Sequence, residues 1–441
     1  MLPQMSSWQQ YVGVFLLAVV TSVASDNYKE LTGNQVWKLN QEDEATVQQL
    51  VVDGLVDPLD HSGPSTSLRV TPETAGLVKE VLDQAGITYQ VIVQDLARYL
   101  RVNDVIQRSQ VRKELRAQTC TSSSCTAPLT DNYMTFDQME YYLAQLNSHP
   151  RVSVSSIGKS IEGRDIWIVH INRSGCEGQE PIGMTPRFAY SAMKRRTVWL
   201  EGGIHAREWI SPAVTLQIIH NITHDCSMGR GLEVYVVPMA NPDGYVHTWT
   251  NNRLWRKNRR NNPDSSCDGV DLNRNWDFDY GVGASPHPCG ETYRGTSAFS
   301  EPETQALREA MLQVNSTGTL QMVMAVHSYG QLLLYPYGGP ASNPAPYKEK
   351  MENLGKLFVN TVNKVHDKTY KIMNANELYP ASGTSQDWAK GILKAKYAYT
   401  LELRSKKTFV LKPDEILPTG QEVLEGLKMV FLALAREKNT Q

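Results

Sequence analysis

The spacing of buried-strand patterns constrains the fold of this chain more than any other feature. Five apolar runs rich in β-branched and aromatic residues recur at 166–171 (IWIVHI), 197–200 (TVWL), 233–237 (EVYVV), 320–326 (LQMVMAV) and 397–403 (YAYTLEL). Helical patterns lie between them at 136–146, 302–314 and 347–365. Strands apolar on both sides need cover on both faces, which helices between them supply. The expected fold class is therefore α/β, a mixed or largely parallel central sheet with helices on both faces, running from about residue 132 to the end.

The chain has 441 residues, enough for that core plus a further module. Residues 35–39 (QVWKL) and 88–93 (TYQVIV) have strand composition, and 71–86 (TPETAGLVKEVLDQAG) reads as a helix ending at a glycine. Elements of this size predict a small α+β module between about residues 27 and 100. A basic, Ser/Thr-rich stretch follows at 101–125, containing Arg112, Lys113 and Arg116. It reads equally as an exposed connector that a trypsin-like protease can cut and as an ordinary solvated helix and linker. Residues 172–196 form a second long connection, holding Cys176 and Lys194-Arg195-Arg196.

The first 25 residues set the compartment. Residues 11–20 (YVGVFLLAVV) are apolar, too short to span a bilayer, and followed by small residues and Asp26. This reads as a secretory signal peptide cut near Ser25, although no Lys or Arg precedes the run, or else as an apolar segment packed on the protein. Six cysteines and N-x-S/T triplets at Asn172, Asn221 and Asn315 fit an oxidising, extracellular setting. The apolar run 429–435 is brief and reads as a terminal core helix, so no membrane anchor is expected. With a formal net charge of −2, the chain carries no global field pointing to nucleic acid.

The segment Gly202-Gly203-Ile204-His205-Ala206-Arg207-Glu208-Trp209 directly follows a strand pattern. A turn there aims His205 and Glu208 into the crevice where α/β proteins bind ligands. An imidazole and a carboxylate suit zinc, but a lone His-x-x-Glu pair is weak evidence. His327, ending the run 320–326, is the best third ligand; by itself it reads as an ordinary strand-end histidine. Two histidines and one carboxylate would leave zinc an open position. Glu402 lies inside an apolar strand, which is costly unless it is paired or functional. It is a candidate general base, or else half of a buried Glu–Arg pair. The arginines of 253–256 and the pair Asn273-Arg274 can hold a carboxylate or serve as surface salt-bridge partners.

Six segments occur in order: G-G-I-H-A-R-E-W-I, N-R-L-W-R-K, D-L-N-R-N-W-D, H-S-Y-G-Q-L-L-L-Y-P-Y-G, Y-P-A-S-G-T-S-Q-D-W and L-E-L-R. Together they closely resemble the pancreatic A/B (M14) type of zinc metallocarboxypeptidase in its precursor form, from about residue 27 to the end. The resemblance implies one Zn²⁺ per chain on His205, Glu208 and His327, with Glu402 as general base and Arg256 stabilising the developing oxyanion. It implies Asn273, Arg274 and Tyr379 as the clamp on the substrate's terminal carboxylate, and Arg207, Arg253, Ser328 and Tyr329 in outer subsites. It also implies a Cys267–Cys289 disulfide; it assigns no pairing to Cys120, Cys125, Cys176 and Cys226. The expected organisation is a signal peptide at 1–25, a propeptide with its connector at 26–116, and a catalytic domain at 117–441 without an added C-terminal β-domain. A secreted monomeric zymogen, activated by a trypsin-like protease and acting on the C-termini of peptides and proteins, is expected. Two rivals share this fold: a catalytically inactive binding protein, and a zinc hydrolase cleaving a non-peptide amide beside a free carboxylate.

Specificity is expected to turn on Gln386. In the family, the residue before Asp-Trp lies at the bottom of the side-chain pocket, as Asp in the branch that trims Lys and Arg and as an aliphatic residue in the branch that trims apolar residues. A neutral Gln386 predicts cleavage of neutral terminal residues, with basic ones disfavoured. Asn374, near the pocket wall, points the same way. Two departures bear on the pocket rim: the stretch from Tyr379 to Glu402 is one residue longer than in the digestive enzymes, and Ser405-Lys406-Lys407 stands where the family has Asp. The extra residue can shift the alignment and turn Gln386 elsewhere, and Lys390 or Lys394 could bring a positive charge to the pocket.

Overall fold

The computed structural model describes residues 28–40, 44–60, 66–100, 128–172, 196–229, 231–339, 345–406 and 408–437. The signal segment, the connector with Arg112, Lys113 and Arg116, the 116/117 boundary, and Cys120, Cys125 and Cys176 lie outside these residues.

The N-terminal module holds strands β1 (Gln35–Leu39), β2 (Val56–Asp60), β3 (Ser67–Val70) and β4 (Tyr89–Val93), with helices α1 (Glu44–Val52) and α2 (Ala75–Gln84). The strands form a sheet ordered β2-β3-β1-β4, antiparallel throughout. Its core joins Trp37, Leu39 and Leu68 to Leu50 of α1 and Val78 and Leu82 of α2.

The larger domain contains α3 (Phe136–Leu146), β5 (Val152–Lys159), β6 (Asp165–Ile171), β7 (Arg196–Gly202), α4 (Ile210–His224), β8 (Leu232–Val237) and α5 (Pro242–Thr250). Then come α6 (Pro302–Val314), β9 (Leu320–His327), β10 (Leu332–Tyr335), α7 (Lys348–Val362), β11 (Lys371–Asn374), α8 (Ser385–Gly391), β12 (Tyr397–Glu402) and α9 (Ile416–Arg436). Its eight-stranded sheet is ordered β11-β10-β12-β9-β7-β8-β6-β5. The middle strands β12, β9, β7 and β8 are parallel; the β10–β12, β6–β8 and β5–β6 pairs are antiparallel. The sheet is thus mixed, as expected.

Strand alternation builds a core on each face. Val198 and Leu200 of β7 point to a core shared with Leu216 of α4, Phe358 of α7 and Leu427 of α9. Trp199 points to the other face, against Leu307 and Met311 of α6 and Trp388 of α8. The expected terminal helix at 429–435 is the end of α9, whose buried stripe includes Val423, Leu427 and Phe431.

The two domains touch along a small apolar seam, where Leu31, Val36 and Leu96 of the module meet Leu254. Charged groups edge it: Asn252 donates to Glu30 at 3.1 Å and Arg69 pairs with Glu291 at 2.5 Å. Among the described residues, no helix is long and apolar enough to cross a membrane.

Candidate active site

The parallel strands β7, β9 and β12 end side by side, and the site sits just beyond their C-terminal ends, where open α/β sheets bind ligands. The chain leaves β7 through Gly202 and Gly203. A Cβ on Gly202 would stand 2.8 Å from Thr215 of α4, and one on Gly203 would stand 2.7 Å from Met239. Gly203 also has φ +68°, the left-handed region that glycine favours. Gly203 N–H donates to Ser211 Oγ, which donates in turn to Val326 O of β9. This turn places His205 and Glu208 next to His327, the last residue of β9.

These three side chains converge. His205 Nδ1 lies 2.8 Å from Glu208 Oε1 and 3.1 Å from His327 Nδ1, and His327 Nδ1 lies 3.2 Å from Glu208 Oε2. All are buried. They are the group among the described residues whose donor atoms could hold a metal ion. A tetrahedral zinc with Zn–N near 2.0–2.1 Å needs donors roughly 3.3 Å apart, so the spacing fits. On its far side His205 Nε2 meets Asp271 Oδ1 at 3.1 Å, the carboxylate–imidazole pairing that fixes a ligand's tautomer. Burial opposes ionisation of Glu208, but His205 and His327 outweigh it and hold the carboxyl well below its usual range. Burial likewise lowers His205, which favours the neutral imidazole that binds metal.

Asp271 also anchors Arg256, accepting from its Nε at 3.1 Å and Nη2 at 2.9 Å, and Asn273 N–H donates to Asp271 Oδ1 at 2.9 Å. One buried carboxylate therefore positions a candidate ligand, a cation and the turn carrying Asn273-Arg274. Asn273 Oδ1 accepts from Ser385 N–H at 3.0 Å, which ties this turn to the start of α8. Arg274 donates through Nη1 to Asn273 O, while its buried Nε has no hydrogen-bond partner.

Glu402 ends β12 directly opposite His327. The buried Glu–Arg alternative does not arise through its neighbour: Arg404 pairs with Glu415 and Glu422. Glu402 makes no hydrogen bond or ion pair among the described residues. Burial pushes its carboxyl up to about 8, against the opposing pull of His327.

One cavity joins these groups. Its lining includes His205, Glu208, His327, Glu402, Arg256, Asn273, Arg274, Arg207, Ser328, Tyr329, Tyr379 and Gln386. Arg253 does not line it. That side chain lies behind Arg207, donating to Arg207 O at 2.8 Å with its guanidinium 3.8 Å above the Trp209 ring. Ser328 N–H donates to Glu208 Oε2 at 3.0 Å, and Tyr329 packs on Phe409. Gln386, on α8, is buried and faces the cavity, so the longer stretch before Glu402 does not turn it away. Asn374 lies outside the lining, its amide bonded to Tyr335 O and Pro336 O. Lys390 Nζ donates to Ala395 O and Lys396 O, and Lys394 bonds Gly391 O; neither lines the cavity. Cys267 and Cys289 form a disulfide, and Cys226 is also disulfide-bonded.

The N-terminal module supplies the remaining wall, through Gln48, Val51, Asp57, Pro58 and Leu59. Asp57 meets Arg207 in a bidentate pair, at 2.5 Å and 3.0 Å, and Arg69 at 3.3 Å. Sequence reading did not single out Asp57, Asp271, Phe409 or Thr400. Asp271 stands in a motif two residues before Asn273 and could have been noticed; Asp57 carries no local signal.

The zinc carboxypeptidase family model matches residues 139–426. Carboxypeptidase A1 of Mus musculus is 32% identical over 442 residues, covering 95% of this chain and 97% of that protein. Carboxypeptidase B of Bos taurus is 31% identical over 443 residues, covering 94% and 97%. The crystal structure of carboxypeptidase A from Helicoverpa armigera superposes with a TM-score of 0.79 at 26% identity, covering 93% of this chain and 99% of that one.

Proposed function

The chain belongs to the zinc carboxypeptidase family, whose members hydrolyse peptides at their C-termini, and from that premise we propose that it is a secreted zymogen releasing single, neutral C-terminal residues. The observation that carries this reading is a single cavity holding the His205, Glu208 and His327 cluster, an unpaired Glu402 and an incompletely bonded Arg274.

His205, Glu208 and His327 are the residues that would hold zinc. Bound there, zinc supplies a Lewis acid that polarises the scissile carbonyl and makes a water more acidic. Glu402 takes the proton of the attacking water on its carboxylate and passes it to the leaving amine nitrogen. Arg256, fixed by Asp271, faces the negative charge that develops on the carbonyl oxygen. Arg274, Asn273 and Tyr379 hold the substrate's terminal carboxylate. Arg274 offers the planar fork, and Asn273, held at Oδ1 by Ser385 N–H, turns its amide NH₂ toward the site, 3.5 Å from His327 Nε2, with a second N–H to donate.

Residues 1–25 act as signal peptide, 26–116 as propeptide and connector, and 117–441 as catalytic domain. Secretion is supported by the signal pattern and by the Cys267–Cys289 disulfide. Latency is supported by Asp57, whose carboxylate occupies Arg207 inside the cavity while Pro58 and Leu59 form its wall. A trypsin-like cut near Arg116, with Arg112 or Lys113 as alternatives, releases that wall.

The test compares two peptides that differ only in a free or amidated C-terminus, before and after trypsin. The cut protein is expected to hydrolyse the free peptide, to leave the amidated one largely intact, and to be far more active than the uncut chain. Equal rates on both peptides would rule out an exopeptidase, and equal rates before and after cutting would rule out a zymogen.

A further inference from the structure

The cavity has a second, uncharged end. Thr400 and Glu402 alternate on β12, so both point to the same face, about 7 Å apart along the strand. Thr400 therefore lies deeper than the reacting carboxylate, and α8, which packs on β12, brings Gln386 to the same cavity. Gly338, which has no side chain, and Thr384 also line it. Among the described residues lining the cavity, every charged group belongs to the metal-binding cluster, the arginines, Glu402 or the wall shared with the N-terminal module.

Three polar atoms here are unusual. Gln386 is 4% exposed and its Oε1 has no hydrogen-bond partner, and the hydroxyls of Thr400, 4% exposed, and Thr384, 3% exposed, have none. Buried polar atoms are normally satisfied, because leaving them bare forfeits hydration without replacement. Nor is Gln386 loosely held. It directly follows Ser385, whose N–H is bound by Asn273, and Gly383 just before packs against the backbone of Arg274. Terminal-carboxylate clamp and polar pocket are thus fixed relative to each other.

We infer that this pocket recognises a side-chain carboxamide, so that among neutral C-terminal residues the enzyme selects glutamine. The inference rests on the carboxypeptidase reading above. A primary amide is the group that answers Gln386 and Thr400 together. Two facing carboxamides exchange reciprocal N–H···O bonds, and the Gln386 amide can present either end. The Thr400 hydroxyl donates to the second lone pair of the incoming oxygen. A glutamine side chain spans four bonds, on the order of 5 Å, which carries its amide away from the clamp toward this end of the cavity. Asparagine is one bond shorter and reaches less well. Methionine fills the same space but leaves both of these groups bare. Glutamate and lysine would bring a charge to a lining with no counter-charge of its own, the Asp387 carboxyl being held behind it by Gly338 N–H at 2.9 Å.

The experiment is a peptide series, identical except for a last residue of Gln, Asn, Met, Leu, Glu or Lys, hydrolysed by the trypsin-cut protein. Glutamine is expected to exceed methionine by at least about tenfold in kcat/KM, the discrimination available to a site with buried hydrogen-bonding groups. Gln386→Leu and Thr400→Val should each shrink the Gln/Met ratio, with Gln386→Leu reversing it. Because the readout is a ratio within one preparation, partial misfolding of a variant does not mimic it. Methionine or leucine matching glutamine would overturn the inference while leaving the carboxypeptidase reading intact, and so would a preference for lysine or glutamate. Failure on all six peptides would overturn the reading beneath it.

Discussion

The two walls of the cavity treat their carboxylates differently. On the wall made by the N-terminal module, each carboxylate that meets an arginine is paired: Asp57 with Arg207 and Arg69, and Glu291 with Arg69. On the wall made by the eight-stranded sheet, Glu402 has no partner, and Arg274 Nε, Gln386 Oε1 and Thr400 Oγ1 are buried without one. Ion pairing closes the first wall, although Arg69 Nε, Arg207 Nε and Glu291 Oε2 keep no hydrogen-bond partner there. On the sheet wall, a carboxylate without a cation leaves capacity for groups that arrive later. The same electrostatics sets the titration of each wall: Arg207 and Arg69 outweigh burial and hold the Asp57 carboxyl below its usual range, whereas burial pushes Glu402 up to about 8.

The largest effect should come from the incomplete wall. Glu402→Gln preserves shape and removes the group that accepts a proton. Turnover of the trypsin-cut protein should fall by at least the roughly 10²–10⁴-fold typical of general acid–base catalysis. Zinc content, measured by atomic emission, should stay near one per chain, whereas His205→Ala should lose it. A Glu402→Gln protein with near-normal turnover would mean that this wall's unpaired carboxylate is not the reacting group.

How much of this was legible in the sequence follows the same division. Strands buried on both faces announced themselves, because unbroken runs such as LQMVMAV have few other places to go; β9 spans Leu320–His327, around the expected 320–326. His205, Glu208 and Glu402 stood out because polar residues adjoin such runs. Strands without that signal were missed. β5 (VSVSSIGK) is polar and half exposed at the sheet edge, and β10 and β11 have four residues each, too few to show a period. Helix ends moved where side chains recapture the backbone. The 71–86 pattern becomes helix only at Ala75, because Thr71 and Thr74 close a turn of their own, and α7 stops at Val362 because Asn363 bonds both backbone groups of Tyr370. The paired wall was illegible for a different reason: Asp57 and Arg207 are 150 residues apart, and nothing local in either segment marks the other. Arg253 sits inside a legible motif, yet only packing reveals that it braces Arg207 from behind.

The next effect tests the paired wall. Asp57→Ala leaves Arg207 buried beside Arg69 with one carboxylate, Glu291, to share, at 3.6 Å from Arg207. Removing one member of a buried pair costs about 3–5 kcal/mol, and Glu291 together with the Phe409 ring 4.2 Å from the guanidinium places this case at the lower end. The module should hold the cavity less tightly. The uncut variant is expected to hydrolyse a free-carboxylate peptide measurably faster than the uncut parent, and the two should converge after trypsin. An uncut variant as silent as the parent would show that Pro58 and Leu59 block the cavity without help from the ion pair.

The smallest effect should be that of pH on the closed wall. Asp57 has a lower pKa docked than free, because the arginines outweigh burial. Glu30, at the other end of the seam, is lowered chiefly by His247, whose Nε2 lies 3.7 Å from its Oε2. For a group whose pKa is lower in the docked state, the contribution is fully present above the free value and is lost only as pH falls through the docked value. Both free values lie near 4, so docking should be flat between about pH 5 and 8 and should weaken only below about pH 4. Size-exclusion chromatography of the trypsin-cut protein, across that range, reads the fraction of module still bound. An even fraction from pH 8 to 5 is expected. Progressive release over the same span would place control of docking with a group other than Asp57 and Glu30, and the contrast between the two walls would fail.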